Sequence, residues 1–451
     1  MELRNVDKVF LIGVGGIGMS GLARYFKKRG ADVCGYDKTS TPLTDALQRE
    51  GIPVSFVDET DQIPVQFHEN DLSTLIIYTP AIPKDSAVLN YFISKGFPLK
   101  KRSEVLGIIS KGMFTIAVAG THGKTTTSCI IAHLLKDSGY DCSAFLGGIA
   151  SNYNTNVLFA DNNTLVVEAD EYDRSFLTLH PDIAVITSMD ADHLDIYGDA
   201  AHLTESFKLF AGQLKPGGIL INRKGLDLAN GQTYAANEEA EIQAQNVRVE
   251  SGNFWFDFKN QSTYIQDLQM LLPGLHNIEN AVAAVQIALL LGITAEKIRA
   301  ALANFKGVKR RFEYILRNEG HIYIDDYAHH PEELRACLTA VKTLYPDKKL
   351  CTIFQPHLFT RTRDFADGFA EVLAMTDELI MLDIYPAREL PIDGVDSAMI
   401  LNKVAIDDKK ILSKQETVNH IKRTRPELLL TVGAGDVDTL VKPLKEIIEN
   451  A

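Results

Sequence analysis

Phe114-Thr115-Ile116-Ala117-Val118-Ala119-Gly120-Thr121-His122-Gly123-Lys124-Thr125-Thr126-Thr127 carries an apolar run into a glycine-lysine turn and then into a helix-forming stretch that continues through Leu135. A short apolar run ending at a Gly-rich turn reads as a buried strand, and the residues after it read as a helix. Between them, glycines leave backbone N–H groups free to face an anion. Lys124 supplies a cation for β/γ phosphate oxygens, and Thr125 supplies a hydroxyl suited to Mg²⁺. The pattern departs from the usual Walker loop, because Val118 stands where a glycine is expected and the loop is shorter. Gly120, Thr121, His122, Gly123, Lys124, Thr125 and Thr126 are the candidate ATP-binding residues here.

Working outward, the same strand–turn–helix grammar recurs. Lys8-Val9-Phe10-Leu11-Ile12 leads into Gly13-Val14-Gly15-Gly16-Ile17-Gly18, with Asp37 closing the next strand-like run at Val33–Tyr36. This satisfies a dinucleotide fingerprint, with glycines for a tight turn and an acid where a ribose would sit. By itself it leaves a nicotinamide enzyme, another nucleotide ligand or a structural turn all open. Further strand patterns fall at 75–78, 164–168, 183–188, 219–222, 321–325, 350–354, 378–382 and 428–431. Strands alternating with helical patterns imply parallel α/β sheets. Alternation at 252–258, in an acidic stretch over 230–265, suggests a small antiparallel appendage.

At 451 residues the chain exceeds one compact core, and length suggests about three domains. The boundaries read from the sequence divide it into 1–107, 108–313 and 314–451. A formal charge of -13, with 45% apolar and 23% charged residues, describes a soluble protein and excludes duplex nucleic acid as a partner, which needs clustered cations. The five cysteines are scattered without a CxxC pair, so neither a disulfide framework nor a zinc site is implied. No leader is visible and no apolar run approaches the roughly 20 residues that cross a bilayer. A cytoplasmic setting, with no membrane partner, is expected.

Acids and cations collect where strands end. Val166-Val167-Glu168-Ala169-Asp170-Glu171 puts a carboxylate cluster after one strand, and Asp190-Ala191-Asp192-His193 follows another. Glu168 is positioned by this reading to meet the loop of Thr125. His276-Asn277-Ile278-Glu279-Asn280 opens an Ala-rich helix, where asparagine serves as a cap or reads an adenine edge. Arg311 belongs to the basic run 309–311. Asp326-Tyr327-Ala328-His329-His330-Pro331 and Gln355-Pro356-His357, the latter leading to Arg361, load two further loops with function-bearing side chains.

Taken together these motifs resemble the Mur ligase family, which adds amino acids to a UDP-sugar precursor of peptidoglycan. The likeness runs nearly end to end, through Gly120–Thr127, Glu168, Asp192-His193, His276–Asn280 and Arg311. The wording of Gly15–Gly21, Asp326–Pro331 and Gln355–His357 is nearest to the members that join L-alanine to UDP-N-acetylmuramate. The resemblance implies a Rossmann-like N-terminal domain, a central P-loop ATPase domain with a mostly parallel sheet, and a Rossmann-like C-terminal domain. It also reassigns the first glycine loop, with Gly15, Gly16, Ile17, Gly18, Asp37, Thr79 and Ala81 implied as UDP-sugar contacts rather than nicotinamide contacts.

By the same resemblance Lys124, Glu168, His193 and Arg311 are implied as catalytic, and Thr125, Glu168 and His193 as ligands of two magnesium ions, with Mn²⁺ as a substitute. Asn280, Arg311 and Asp326 would complete the ATP site. Tyr327, His329, His357 and Arg361 would line the amino-acid site, and Leu358, where some relatives carry Arg, shifts the weight of carboxylate binding to Arg361. Lys208 lies in the stretch where several members carry a modified lysine, and that role is not carried over. Substrates implied are ATP, UDP-N-acetylmuramate and L-alanine, on a monomer or homodimer. A ligase that attaches a whole tripeptide to the same sugar nucleotide remains the alternative within the family, and a nicotinamide-dependent oxidoreductase the alternative outside it.

Overall fold

A computed structural model describes residues 3–190, 200–250, 253–387 and 389–449. Lys8–Ile12 forms the centre of a five-stranded sheet because four of its five residues are apolar and buried. Its spatial order is Val54–Ser55, Asp32–Tyr36, Lys8–Ile12, Thr74–Tyr78, Leu99–Lys101. Every neighbouring pair is parallel. A parallel sheet must be covered on both faces, which is why these strands read as near-continuous apolar runs. The helix Ile17–Lys28 supplies part of that cover, burying Met19, Leu22, Ala23 and Phe26 at helical spacing.

The second sheet has ten strands, in the order Tyr264–Met270, Asn253–Lys259, Ile242–Glu250, Gln232–Ala236, Ile219–Arg223, Ile183–Ile186, Phe114–Ala119, Thr164–Glu168, Ser143–Ala150, Thr155–Leu158. The pairs around Phe114–Ala119 are parallel, and Thr155–Leu158 adds an antiparallel edge. Over 230–265 the structure corrects the sequence expectation. Those strands extend the main sheet rather than standing apart, and Gln232–Ala236 pairs with Ile242–Glu250 in parallel, Tyr234 opposite Ile242. Only three residue pairs overlap there, so the short return over 237–241 suffices where a full parallel crossover needs about a dozen residues.

A third sheet runs Glu313–Arg317, Ile322–Asp326, Leu428–Val432, Leu350–Phe354, Glu378–Met381, Lys409–Ile411, with only Glu313–Arg317 antiparallel to its neighbour. Separate apolar clusters cover its two faces.

The chain forms two compact units. The first takes in 1–247, 256–268 and 279–305, where Leu11 and Val14 from the first sheet share one apolar cluster with Ala117, Val167 and Ile186 from the second. The second holds 306–451 with the segments 248–255 and 269–278. The position 107/108 falls inside the helix Arg102–Lys111.

Close packing in the first sheet is set by Gly35. A Cβ there would stand 2.5 Å from the carbonyl oxygen of Leu11 and 2.9 Å from Val14 Cβ, so strand and loop have no room for a methyl group. Gly35→Ala should therefore destabilise the fold by about 1–3 kcal/mol through overpacking. Calorimetry should record a lowered unfolding temperature, and an unchanged one would contradict this packing.

Candidate active site

The phosphate-loop geometry rests on two glycines. Gly120 and Gly123 have φ of +140° and +82°, a region that L side chains rarely adopt. There is also no space beside them. A Cβ on Gly120 would lie 2.1 Å from Thr187 Oγ1, and one on Gly123 would lie 2.9 Å from Asn280 Oδ1. Gly123 caps the helix Lys124–Asp137 without a side-chain bond, leaving the first turn's N–H groups directed at the loop.

Thr187 and Ser188, at the end of the neighbouring strand, hold this loop in shape. Thr187 Oγ1 donates to the carbonyls of Ala119, at 3.1 Å, and His122. Ser188 Oγ accepts from His122 N at 2.7 Å and lies 2.8 Å from Thr121 Oγ1. Asp190 N donates to Thr121 Oγ1, and His122 Nε2 lies 3.9 Å from Asp190 Oδ2. The sequence reading treated Thr187 and Ser188 as ordinary strand residues, since nothing in their spacing marks a clasp.

Lys124 folds back over the loop. Its Nζ lies 2.6 Å from Gly120 O, 3.3 Å from Thr121 O and 2.8 and 3.0 Å from the two oxygens of Glu171. Burial alone would favour the neutral amine, but the carboxylates of Glu171, Glu168 and Asp170 more than offset this and hold its pKa above the ordinary lysine value.

Glu168 ends the strand that pairs with Phe114–Ala119, directly opposite Val118, so it stands beside the loop. Its Oε2 accepts from Gly147 N at 3.0 Å. A cleft in the same unit is lined by Ile17, Gly18, Arg102, Gly147, Glu168 and Asp170, among others, so the first glycine loop and the acid cluster open onto one space. Arg102 bridges them, with Nη2 3.0 Å from Asp170 Oδ2 and a guanidinium that would meet a Cβ on Gly18. The sequence reading did not single it out. Within that loop Asp37 Oδ2 accepts from Gly15 N at 2.7 Å, and Thr79 abuts Gly13, 2.8 Å from where its Cβ would be. Gly16 begins the helix Ile17–Lys28 without a side-chain cap, and Ala81 is exposed.

The donors suit a hard cation. Thr125 is buried in the helix's first turn, Glu168 is half-buried at the cleft, and magnesium takes few protein oxygens while keeping its waters. Among the described residues no group of three His, Cys, Asp or Glu forms a dedicated metal cage. His193, and Asp192 with it, lie outside the described residues.

In the second compact unit the structure gathers Arg311, Asp326, Tyr327, His329, His357 and Arg361. Arg311 stacks over Tyr327 at 5.0 Å, Arg361 Nη1 lies 3.4 Å from His357 Nδ1, and the rings of His329 and His357 are 6.0 Å apart. Two residues complete the group. Glu333 accepts from His329 N at 3.1 Å and stands 3.9 Å from Arg311, while Tyr385 stacks on His357 at 5.8 Å. The i,i+4 spacing of His329 and Glu333 could have revealed the first, whereas the second is far away in sequence. Asp326 accepts from Phe312 N at 2.6 Å and from Ala328 N at 2.7 Å. It therefore ties Arg311's flanking backbone, where Arg310 and Phe312 both have positive φ, to the loop of Tyr327. Lys208 is on the surface, paired with Asp227 at 2.6 Å.

Three models of Mur ligase domains match this chain in order, namely the family's catalytic domain over residues 8–113, the middle domain over 118–288 and the glutamate ligase domain over 310–437. The chain belongs to the Mur ligase family. The UDP-N-acetylmuramate–L-alanine ligase of Cytophaga hutchinsonii is 49% identical over 459 residues, covering 100% of this chain and 98% of that protein. That of Flavobacterium psychrophilum is also 49% identical, covering 100% of both chains. Among solved structures, the UDP-N-acetylmuramate-alanine ligase MurC of Thermotoga maritima superposes with a TM-score of 0.84 at 25% identity, covering 98% of this chain and 99% of that one. A murein peptide ligase of Psychrobacter arcticus shares the fold, with a TM-score of 0.70 at 21% identity and the same coverage. This Mur ligase thus has the α/β, mostly parallel three-domain architecture that the sequence implied.

Burial gives the second unit a pH signature. It pulls the His329 pKa from 6.5 down to about 4, against the pull of Glu333, while it raises Asp325 to about 7 and Asp326 to about 6. Between pH 4 and 6.5 the fold binds fewer protons at His329 than the unfolded chain does. The stability that His329 contributes is complete above 6.5 and declines as pH falls to 4, with the two aspartates acting in the opposite sense. In His329→Gln the difference in melting temperature between pH 6.5 and 4.5 should shift toward greater relative stability at pH 4.5. An unshifted difference would contradict a buried neutral imidazole.

Proposed function

We infer that this Mur ligase joins L-alanine to the lactyl carboxylate of UDP-N-acetylmuramate at the expense of ATP. The observation that carries the reading is the cleft shared by Ile17, Gly18, Arg102 and Glu168, which supports a sugar-nucleotide loop and a phosphoryl-transfer carboxylate acting on one substrate. The choice of muramate and alanine rests on full-length relatives at 49% identity.

Residues 1–107 would hold the UDP-sugar through Gly15, Gly16, Ile17, Gly18, Asp37, Thr79 and Ala81, with the pyrophosphate at the uncapped helix start. Residues 108–313 would hold ATP through the 120–126 loop and Asn280, with Arg311 and Asp326 as the further ATP contacts that membership of the family suggests. Residues 314–451 would hold alanine, its carboxylate on Arg361 and His357 and its amine near His329 and Tyr327.

A carboxylate is a poor acyl donor. One lactyl oxygen attacks the γ-phosphorus, the bond to the β-bridging oxygen breaks, and ADP leaves with an acyl phosphate formed. The alanine amine, having lost a proton, then attacks the acyl carbon, and the tetrahedral intermediate expels inorganic phosphate. Lys124 and Arg311 offset the charge on the transferring phosphoryl group. Magnesium held by Thr125, Glu168 and His193 would supply further charge neutralisation, as two ions, with manganese able to replace it. Exclusion of water protects the acyl phosphate from hydrolysis. Five buried free thiols suit a reducing cytoplasm, and among the described residues no helix is long and apolar enough to cross a membrane.

The test is phosphate release from ATP with UDP-N-acetylmuramate and either L-alanine, glycine, L-serine or the L-alanyl-γ-D-glutamyl-meso-diaminopimelate tripeptide. Release with L-alanine is expected, and release with the tripeptide but not alanine would overturn the assignment. Lys124→Ala should lower kcat/KM by roughly a hundredfold or more. UDP-sugar binding, measured by calorimetry, should survive in that variant, and loss of both would refute the division of labour.

A further inference from the structure

Around Lys124 the hydrogen-bond count is already full. An ammonium has three hydrogens, and Nζ meets Gly120 O, Thr121 O and both oxygens of Glu171. A phosphate oxygen can enter only if one of these acceptors withdraws. Gly120 and Thr121 belong to the loop itself and stay with the lysine. Glu171 comes from a different segment, following the strand Thr164–Glu168, where Arg174 N donates to Glu171 O at 2.9 Å and Phe176 N to Asp170 O at 2.9 Å.

Glu171 also differs from Glu168. Its side chain is 1% exposed, whereas Glu168 lines the open cleft. Magnesium keeps several waters, so a carboxylate sealed from solvent is poorly suited to ligate it. The reaction sequence described above leaves Glu171 without a role, yet a buried glutamate is costly unless it is paired.

We propose that Glu171 is a placeholder counter-charge, which neutralises Lys124 in the nucleotide-free protein and which Lys124 exchanges for triphosphate oxygens when ATP binds. This rests on the ATP site assigned above. Glu171 is a positioning residue and does not touch the reacting atoms. Its pairing stabilises the nucleotide-free arrangement more than the bound one, so it sets how much of the intrinsic affinity for a triphosphate is realised.

The test is calorimetric binding of a non-hydrolysable ATP analogue with Mg²⁺ to the full chain. Glu171→Gln should bind it roughly tenfold tighter than wild type, because a buried lysine that has lost its directly paired counter-charge gains more from phosphate. Its unfolding temperature without nucleotide should fall. Repeating the change in a Lys124→Met background should alter affinity by less than about twofold, since the swap acts through the lysine. Unchanged or weaker binding in Glu171→Gln overturns the proposal. Equal tightening in the Lys124→Met background also overturns it, because Glu171 would then act on the phosphates directly. Should Glu171→Gln fail to fold, Glu171→Asp, which retreats by one methylene, should shift affinity in the same direction by less, and unchanged or weaker binding there is equally fatal. Absence of binding to wild type would refute the ATP site and the swap with it.

Discussion

A backbone turn that only glycine can make, pinned between Thr187 and Asn280, is the constraint on which the rest of the central site depends. Gly120 and Gly123 both adopt positive φ, and both are so closely approached that a methyl group at either position would collide with a neighbouring side chain. Because the loop is fixed, the helix after it starts where its N–H groups face the loop. Lys124 then folds back over the turn, and Glu168, opposite Val118 on the paired strand, stands at the loop's flank. The parallel sheet supplies this arrangement through register, and the loops at its strand ends supply the chemistry.

Much of this was legible in the sequence because it depends on residue types that have few other uses together. Glycine, lysine and threonine between a buried strand and a helix admit few readings, and the acids and histidines at later strand ends narrowed them further. The clasp was not legible. Thr187 and Ser188 are common strand residues, and their role appears only when the parallel register sets them against His122 and Thr121. Glu171 was hidden in a run of three acids, since sequence cannot tell which of Glu168, Asp170 and Glu171 is sealed from water. Arg102 was hidden in an amphipathic helix, and its meeting with Gly18 and Asp170 depends on packing between the first two sheets. That the strands after Ile219–Arg223 join the main sheet was not legible, because alternation reveals the faces of a strand and not which sheet it joins.

The second compact unit follows the same logic with different chemistry. Asp326 spends its carboxylate on two backbone N–H groups, one from each flanking segment, and so joins the strained backbone beside Arg311 to the loop of Tyr327 and His329. Nitrogen-bearing groups then converge, with Arg311 and His329 both beside Glu333, Arg311 over the Tyr327 ring, His357 against the Tyr385 ring, and Arg361 beside His357. A set dominated by guanidinium and imidazole groups is chemically suited to a carboxylate, and burial keeps the imidazole of His329 neutral among them.

Transfer of oxygen from substrate to phosphate tests the central claim most directly. With UDP-N-acetylmuramate carrying ¹⁸O in its lactyl carboxylate, turnover with ATP and L-alanine should deliver one labelled oxygen into the released inorganic phosphate, as breakdown of an acyl phosphate requires. Unlabelled phosphate, or label recovered in AMP, would contradict activation of the carboxylate by γ-phosphoryl transfer.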